Sequence, residues 1–224
     1  MPHTTWHVLP DEQTTTFENI YTGDARRQRV VQTARPIGAG QIPRAWLDSP
    51  IVLLAPVFHD VDVGVGSVFP ESCLVGLSCQ GWLRQLQGSE VRAGEVDPAA
   101  PWLIGDIVFV SEEDVADSEA VRAWLAYVPM VVLTRGPGGF TIFDDTGRHD
   151  FDAVPAREVD PTGAGDVFAA AFLVRWRETG GDLVATARFA ATAAALSTEG
   201  HGYAAVASRE RIEAAMAGIA RRVS

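Results

Sequence analysis

At 224 residues, 47% hydrophobic and 21% charged, the chain has enough apolar material for one substantial core, which excludes an intrinsically disordered segment. Its 29 acidic and 18 basic residues give a net charge of -11, so a polyanion would have to bind against the overall field, and nucleic acid is excluded as an expected partner. A small anion held by backbone amides is still allowed, because that interaction is local.

Cys73 and Cys79 have no metal-ligand or Cys-x-x-Cys spacing, and the front MPHTTWHVLPDE lacks a basic-then-apolar export pattern. Two packed thiols in a reducing compartment are expected, with a cytoplasmic location as the default. Polar or charged residues interrupt every apolar run before the roughly 18 residues a membrane span needs, so no membrane partner is expected.

From Thr14 to Gln32, two segments rich in Thr, Phe, Tyr and Val flank Thr22-Gly23-Asp24, the pattern of a β-hairpin. A lone hairpin buries too little surface, so residues 1–40 are expected to form a lid-like segment that needs a partner, and residues 41–224 an α/β domain. IVLLAPV at 51–57 is the first continuous apolar run, and the Gly-containing DVDVGVGSVFPES after it reads as loop. CLVGLSCQG at 73–81 and DIVFVSEEDV at 106–115 each contain a short strand. SEAVRAWLAY at 118–127 sets Val121, Trp124 and Leu125 on one side of a helix. The strand MVVLTRG ends in Gly136, and GGFTIFDD with GRHDFDAVP makes a hairpin around Asp145-Thr146-Gly147. From Ala164 onward three helical segments are separated by Gly-Gly and EGHG. Apolar strands alternating with amphipathic helices predict an α/β fold, a central sheet covered on both faces.

Residues 160–173, DPTGAGDVFAAAFL, join a turn to an apolar helix. Pro161 disfavours the helical region for Asp160, so the helix cannot run further back. Gly163, Ala164 and Gly165 then form a first turn whose free amides and helix dipole make a site for negative charge, approachable because the side chains are small. Asp166 beside it is suited to taking a proton from an attacking hydroxyl. A second reading stands beside this one: a capped helix start, with Asp166 as a first-turn acid that complements the dipole. The pattern is neither a Walker A loop nor a GxGxxG fingerprint.

DPTGAGDVFAAAFL resembles the C-terminal signature of the ribokinase-like, or PfkB-type, carbohydrate kinases. The resemblance implies a ribokinase-like central sheet flanked by helices, ATP with Mg2+ as cofactors, Asp166 as catalytic base, and the amides of Gly163, Ala164 and Gly165 as anion hole. It makes Asp160 a structural or cation-linked carboxylate. VVLTRGPGG at 131–139 resembles the family strand beside the nucleotide, which points to Thr134 and Gly136, with Arg135 between them as a phosphate candidate. The helix AATAAALSTEGHGYAAV at 190–206 resembles the wall of the adenine site, which singles out Ala193 and Ala194, although both also suit a core. His201 in that stretch reads as a loop histidine. FVSEEDV stands where the family has Asn-x-x-Glu, so Ser111 and Asp114 become indirect magnesium-organising residues, while a local Ser cap explains the same letters.

Gln80 and Arg84 lie four apart after a strand, facing either a substrate cleft or the surface. No piece ahead of the hairpin matches the family's opening strand and sugar-gripping region, so the chain is expected to be shortened at the front. The resulting expectation is a kinase for a hydroxyl of a sugar, polyol or nucleoside, with substrate-binding residues unassigned. The alternative is a shortened kinase-like nucleotide-binding or structural protein. A homodimer through the lid-like hairpin is also expected.

Overall fold

Strands β1 (Thr16–Thr22) and β2 (Ala25–Gln32) pair antiparallel. Gly23 and Asp24 of the expected turn lie outside the described residues; the computed structural model describes residues 4–22 and 25–223. Strands β3 (Ile51–Leu54) and β4 (Leu74–Ser78) follow, and the one-turn helix α1 (Gln80–Leu83) comes directly off the end of β4. Then come β5 (Gln85–Gln87), β6 (Glu90–Arg92), β7 (Ile107–Ser111), β8 (Met130–Thr134), β9 (Phe140–Asp144) and β10 (Gly147–Phe151). Helices α2 (Ala164–Thr179), α3 (Leu183–Ser197) and α4 (Arg209–Val223) complete the chain.

The strands form two sheets. The larger has the order β10-β9-β8-β7-β4-β3, with β3, β4, β7 and β8 parallel and β9 and β10 added as an antiparallel hairpin. Because side chains alternate across a strand, Val108 and Val110 of β7 face one core with Trp82, Trp102 and Trp124, while Ile107 and Phe109 face another with Phe168, Phe172 and Leu173 of α2. This is the α/β architecture expected from the apolar strands, with the β1–β2 hairpin near the front, and its central sheet flanked by helices is what the resemblance implied.

The smaller sheet, β1-β2-β6-β5, supplies what the hairpin lacked: a second hairpin, turned at Gly88 with φ of 65°, pairs β6 with β2. Its residues 85–87 are all exposed, so no buried face gave them a readable period. Residues 118–127 also differ from expectation: Ala120–Ala126 is a 3-10 helix rather than an α-helix. Val121 and Trp124 are both fully buried, and residues three apart eclipse in the tighter 3-10 winding, so one narrow ridge satisfies the core. The stretch after β3, expected as loop, holds one 3-10 turn at Val65–Val68.

The direction of α2 decides where its first turn lies. Arg177, in its last turn, donates from Nη1 to the carbonyl of Ser72 at 3.2 Å, just ahead of β4, so the other end of α2 points to the carboxyl ends of the parallel strands. Gly76 permits this close packing, since a Cβ there would lie 2.5 Å from Leu173 Cδ1. Cys73 and Cys79 are free and buried, and among the described residues no helix is long and apolar enough to cross a membrane.

Gly81 tests how tightly this edge is packed. A Cβ at Gly81 would sit 2.3 Å from the Pro56 carbonyl oxygen, a backbone atom with little freedom to give. Gly81→Ala is expected to cost about 1–3 kcal/mol, read as a lower urea midpoint at unchanged slope; an unchanged midpoint would mean that the loop after β3 yields.

Candidate active site

The entrance to α2 is built by a short series of backbone contacts. Pro161 and Thr162 turn the chain, and the Thr162 amide donates to Asp160 Oδ1 at 3.0 Å. Gly163 takes the left-handed conformation, φ 83° and ψ 1°, which a side chain would strain. The Ala164 amide donates to the Pro161 carbonyl at 3.1 Å, and Val167 to the Gly163 carbonyl at 3.0 Å. Of the amides expected to converge, that of Ala164 is thus engaged in the turn. Those of Gly163 and Gly165, together with that of Asp166, have no protein acceptor among the described residues.

Gly165 is informative because the fold does not require it. Its φ is not positive, and nothing lies within 4 Å of where its Cβ would be. Neither conformation nor packing inside the protein calls for glycine there, so the open space faces outward, over free amides at the positive end of a sixteen-residue helix.

Three aspartates near this edge have three different environments. Asp166 is exposed and has no hydrogen-bond partner among the described residues; the protein mass crowding its carboxyl pushes its pKa up from the ordinary value. Asp160 is held below that value, first by the Thr162 hydroxyl and amide and then by His201 and the Gly202 amide. Its own amide and that of Val159 donate to the Thr198 carbonyl at 3.0 and 2.7 Å, so it fastens the turn to the loop after α3. Asp114 is buried, which raises its pKa, and accepts from Gln80 Nε2 at 3.0 Å. Among these three, Asp166 alone is both unpartnered and open.

The other expected residues divide into two groups. Ser111 and Thr134 lie opposite each other at the ends of β7 and β8, and Thr134 pairs onward with Phe140. The Phe140 ring meets Phe168 of α2 edge-on at 4.9 Å, which ties the β8–β9 turn, with Gly136 at φ 50°, to the helix start. Arg135 instead turns its guanidinium toward Asp150 at 3.8 Å. Ser111 Oγ accepts the Glu113 amide at 3.3 Å, a local cap. Ala193 is buried with Phe189 and Ile212, and Ala194 packs against the α2–α3 core; their small size lets helices approach. The exposed His201 contacts Asp160 at 3.6 Å.

Two cavities border the same sheet edge. The smaller, about 210 Å3, is lined by Gln80, Arg84 and Asp114 below and by Arg27, Gln28 and β6 of the small sheet above. The larger, about 600 Å3, lies against Trp82 and Trp102, and Arg84 borders both. The Gln80–Arg84 spacing was the sequence signal for the first. The second depends on Phe58, Trp82 and Trp102, which are far apart along the chain, and had none.

Magnesium has no evident protein cage: among the described residues no three His, Cys, Asp or Glu side chains cluster as metal ligands, and Ser111 and Asp114 already have protein partners. The ion commonly arrives on phosphate oxygens and keeps several waters, which suits an open amide site better than a dedicated cage.

Comparison with known proteins bears on this geometry. Residues 106–209 match the family model "pfkB family carbohydrate kinase". The chain is 39% identical over 71 residues to a cytidine kinase of Thermococcus kodakarensis, covering 30% of this chain and 24% of that protein. It is 35% identical over 100 residues to a protein of Pyrococcus horikoshii named among the sugar kinases, covering 44% of this chain and 32% of that one. These matches span about a quarter and a third of those relatives' lengths. A pyrophosphate-dependent kinase in the ribokinase family, solved with a pyrophosphate analogue and myo-inositol, superposes with a TM-score of 0.75 at 20% identity, over 92% of this chain and 75% of the other. That likeness shows the fold, and residues 106–209 are the part of the chain that is similar to the pfkB family of carbohydrate kinases.

Proposed function

We propose that the chain is an ATP-dependent phosphotransferase acting on a hydroxyl of a small molecule, with Asp166 as base and the open amides at the start of α2 as anion receptor. The observation that carries this reading is Gly165, a glycine with no structural need inside the protein, set beside free amides and an unpartnered carboxylate. Small size there admits a phosphate group to the backbone.

In the reaction, an Asp166 carboxylate oxygen takes the acceptor's hydroxyl proton while the acceptor's hydroxyl oxygen forms a bond to the terminal phosphorus of the donor. The bond from phosphorus to the bridging oxygen breaks, its electron pair leaving on ADP. The free amides hold charge on the transferred group and lower its barrier by fixed electrostatics. Magnesium, bound on the donor's phosphates, supplies charge neutralisation. Thr134 and Gly136 are assigned to the nucleotide's side of the site, and Ser111 and Asp114 to water-mediated contact with the metal. Ala193 and Ala194 act behind the site by letting α3 pack closely.

A second reading, a nucleotide-binding relative without efficient transfer, is favoured by one observation: the Ser111 and Asp114 side chains are engaged with Glu113 and Gln80. ADP or phosphate release is therefore to be measured with Mg-ATP and with Mg-pyrophosphate, the donor named for the solved relative, against sugars, inositols and nucleosides. Turnover on an acceptor supports the kinase; donor binding without turnover on any acceptor supports the second reading. A cytoplasmic location is proposed from the two free thiols, and a homodimer through the β1–β2 hairpin from the sheet edge that β1 presents. Sedimentation at tens of micromolar showing only monomer would remove the dimer.

Asp166→Asn is expected to lower kcat by about 10²–10⁴ while donor affinity is kept. The raised pKa means that the folded state holds this proton more tightly than the unfolded chain, so ionised Asp166 costs stability above its unfolded pKa, and the variant's Tm should equal or exceed the parent's. For the same reason turnover should fall on the acid side through a pKa above 3.8. Gly165→Val should leave the urea midpoint within about 1 kcal/mol, the helix-propensity difference, yet raise KM for the donor sharply; an unchanged KM would mean the donor's phosphate lies elsewhere.

A further inference from the structure

Of the strands that end the two sheets, β10, β1 and β5 are guarded against further pairing. β10 carries Arg148, His149 and Asp150, β1 carries Glu18, paired with Arg29 at 2.8 Å, and β5 is three residues long with glutamine at both ends. Charge and polarity keep a sheet edge from recruiting another strand. β3 has neither. It reads Ile51-Val52-Leu53-Leu54, the composition of a parallel strand covered on both faces, yet it ends the larger sheet. Ile51 and Leu53 lie against the α2 core and Val52 against the tryptophan core, and all three are only half-buried.

The phase of the ladder decides which backbone groups face outward. The Leu74 amide donates to the Pro50 carbonyl at 3.0 Å, and β3 runs parallel to β4 with Ile51 beside Leu74 and Leu53 beside Gly76. Alternate residues of a parallel strand bond to a given neighbour. Pro50, Val52 and Leu54 therefore turn toward β4, while Ile51 and Leu53 turn their N–H and C=O groups to the open side. Among the described residues no backbone group outside β4 bonds to either of them.

An identical strand laid antiparallel matches this pattern. With a two-fold axis through Val52, Ile51 of each copy exchanges both of its bonds with Leu53 of the other, and the two Val52 residues form the closer, non-hydrogen-bonded pair on the axis. Ile51–Leu53 contacts close one face and the Val52 pair closes the other, so no charge is buried on either side. We propose that the open edge of β3 is the interface for a second copy of this chain, which joins the two larger sheets into one. The inference goes beyond the phosphotransferase reading and does not depend on it. It is also separate from the hairpin dimer, because β1 and β3 end different sheets. Each copy carries a net charge of -11, so added salt, which screens their repulsion, should tighten the contact.

The test is sedimentation of the whole chain over a dilution series at low and high salt, with amide hydrogen exchange on the same samples. The dimer fraction should rise with concentration and with salt, and exchange at Ile51 and Leu53 should slow as it rises, while Val52 and Leu54, already bonded to β4, should not change. Val52→Lys sets two like charges on the axis and should weaken association at least about tenfold. Should that variant fail to fold, Ile51→Pro removes an N–H that the single chain leaves unbonded and should weaken association likewise. Ile20→Lys, on β1 at 37% exposure, should leave the β3 contact intact. A monomer at every concentration, a dimer that survives Val52→Lys and Ile51→Pro, or one lost in Ile20→Lys overturns the proposal. Slow exchange at Ile51 and Leu53 in a monomer also overturns it, since the edge would then be covered from within one chain.

Discussion

The structure around the site depends on one backbone constraint, the left-handed turn at Gly163, a conformation that a side chain would strain, which ends an extended segment and starts a long helix. Two amides, of Val159 and Asp160, share the Thr198 carbonyl, so the turn is fastened to the far end of α3, and Asp160 returns a contact to the same loop through His201 and Gly202. At the opposite end Arg177 anchors α2 to the segment before β4. Held at both ends and packed through Phe168 and Phe172 on Phe109, the helix has one orientation available. Its free amides therefore point at one region of the sheet edge, which is the preorganisation that electrostatic stabilisation requires.

Environment rather than residue type separates the three aspartates. A carboxylate that accepts several hydrogen bonds is a poor base because each bond stabilises its charged form. Asp160 is in that state and serves as a fastener. Asp114 has the opposite problem: burial disfavours its charge, and Gln80 offsets part of that cost. Asp166 has no donor to satisfy it, and its neighbours raise its proton affinity while leaving it open to solvent. Raised basicity together with access suits a general base; either one alone would not.

Much of this was legible in the sequence, for identifiable reasons. The parallel strands read as short unbroken apolar runs because both faces are buried, and the helix entrance was visible because Pro161 and the glycines fix backbone conformation locally. The second hairpin, Gln85 to Arg92, was not legible, because each strand is three residues long with a single apolar residue, Leu86 or Val91, and its pairing with β2 joins segments about sixty residues apart. The 3-10 winding at 120–126 was hidden since Val121 and Trp124 fit either helix period. The engagement of the Ala164 amide by Pro161 lay in the turn's geometry, and the aromatic cavity is assembled from three segments distant along the chain, with Trp82 in α1. Properties carried by local backbone rules are readable from the letters, and those created by long-range assembly are not.

The net charge of -11 opposes the anionic donor proposed above, so the arrangement of charge at this edge matters. Arg135 and Arg148, the arginines by the β8–β10 turns, are committed to Asp150, whose pKa the hydrogen bonds from Arg148 and Thr141 hold down to about 2. Arg27 and Arg92 are likewise paired with Glu90. With those cations paired in place, the receptor proposed for phosphate is a set of partial charges on backbone amides, which do not titrate. A receptor of this kind acts over a few ångströms only. In the function proposed here it would let an acidic protein hold a phosphate group although its overall field opposes nucleic acid and other extended polyanions.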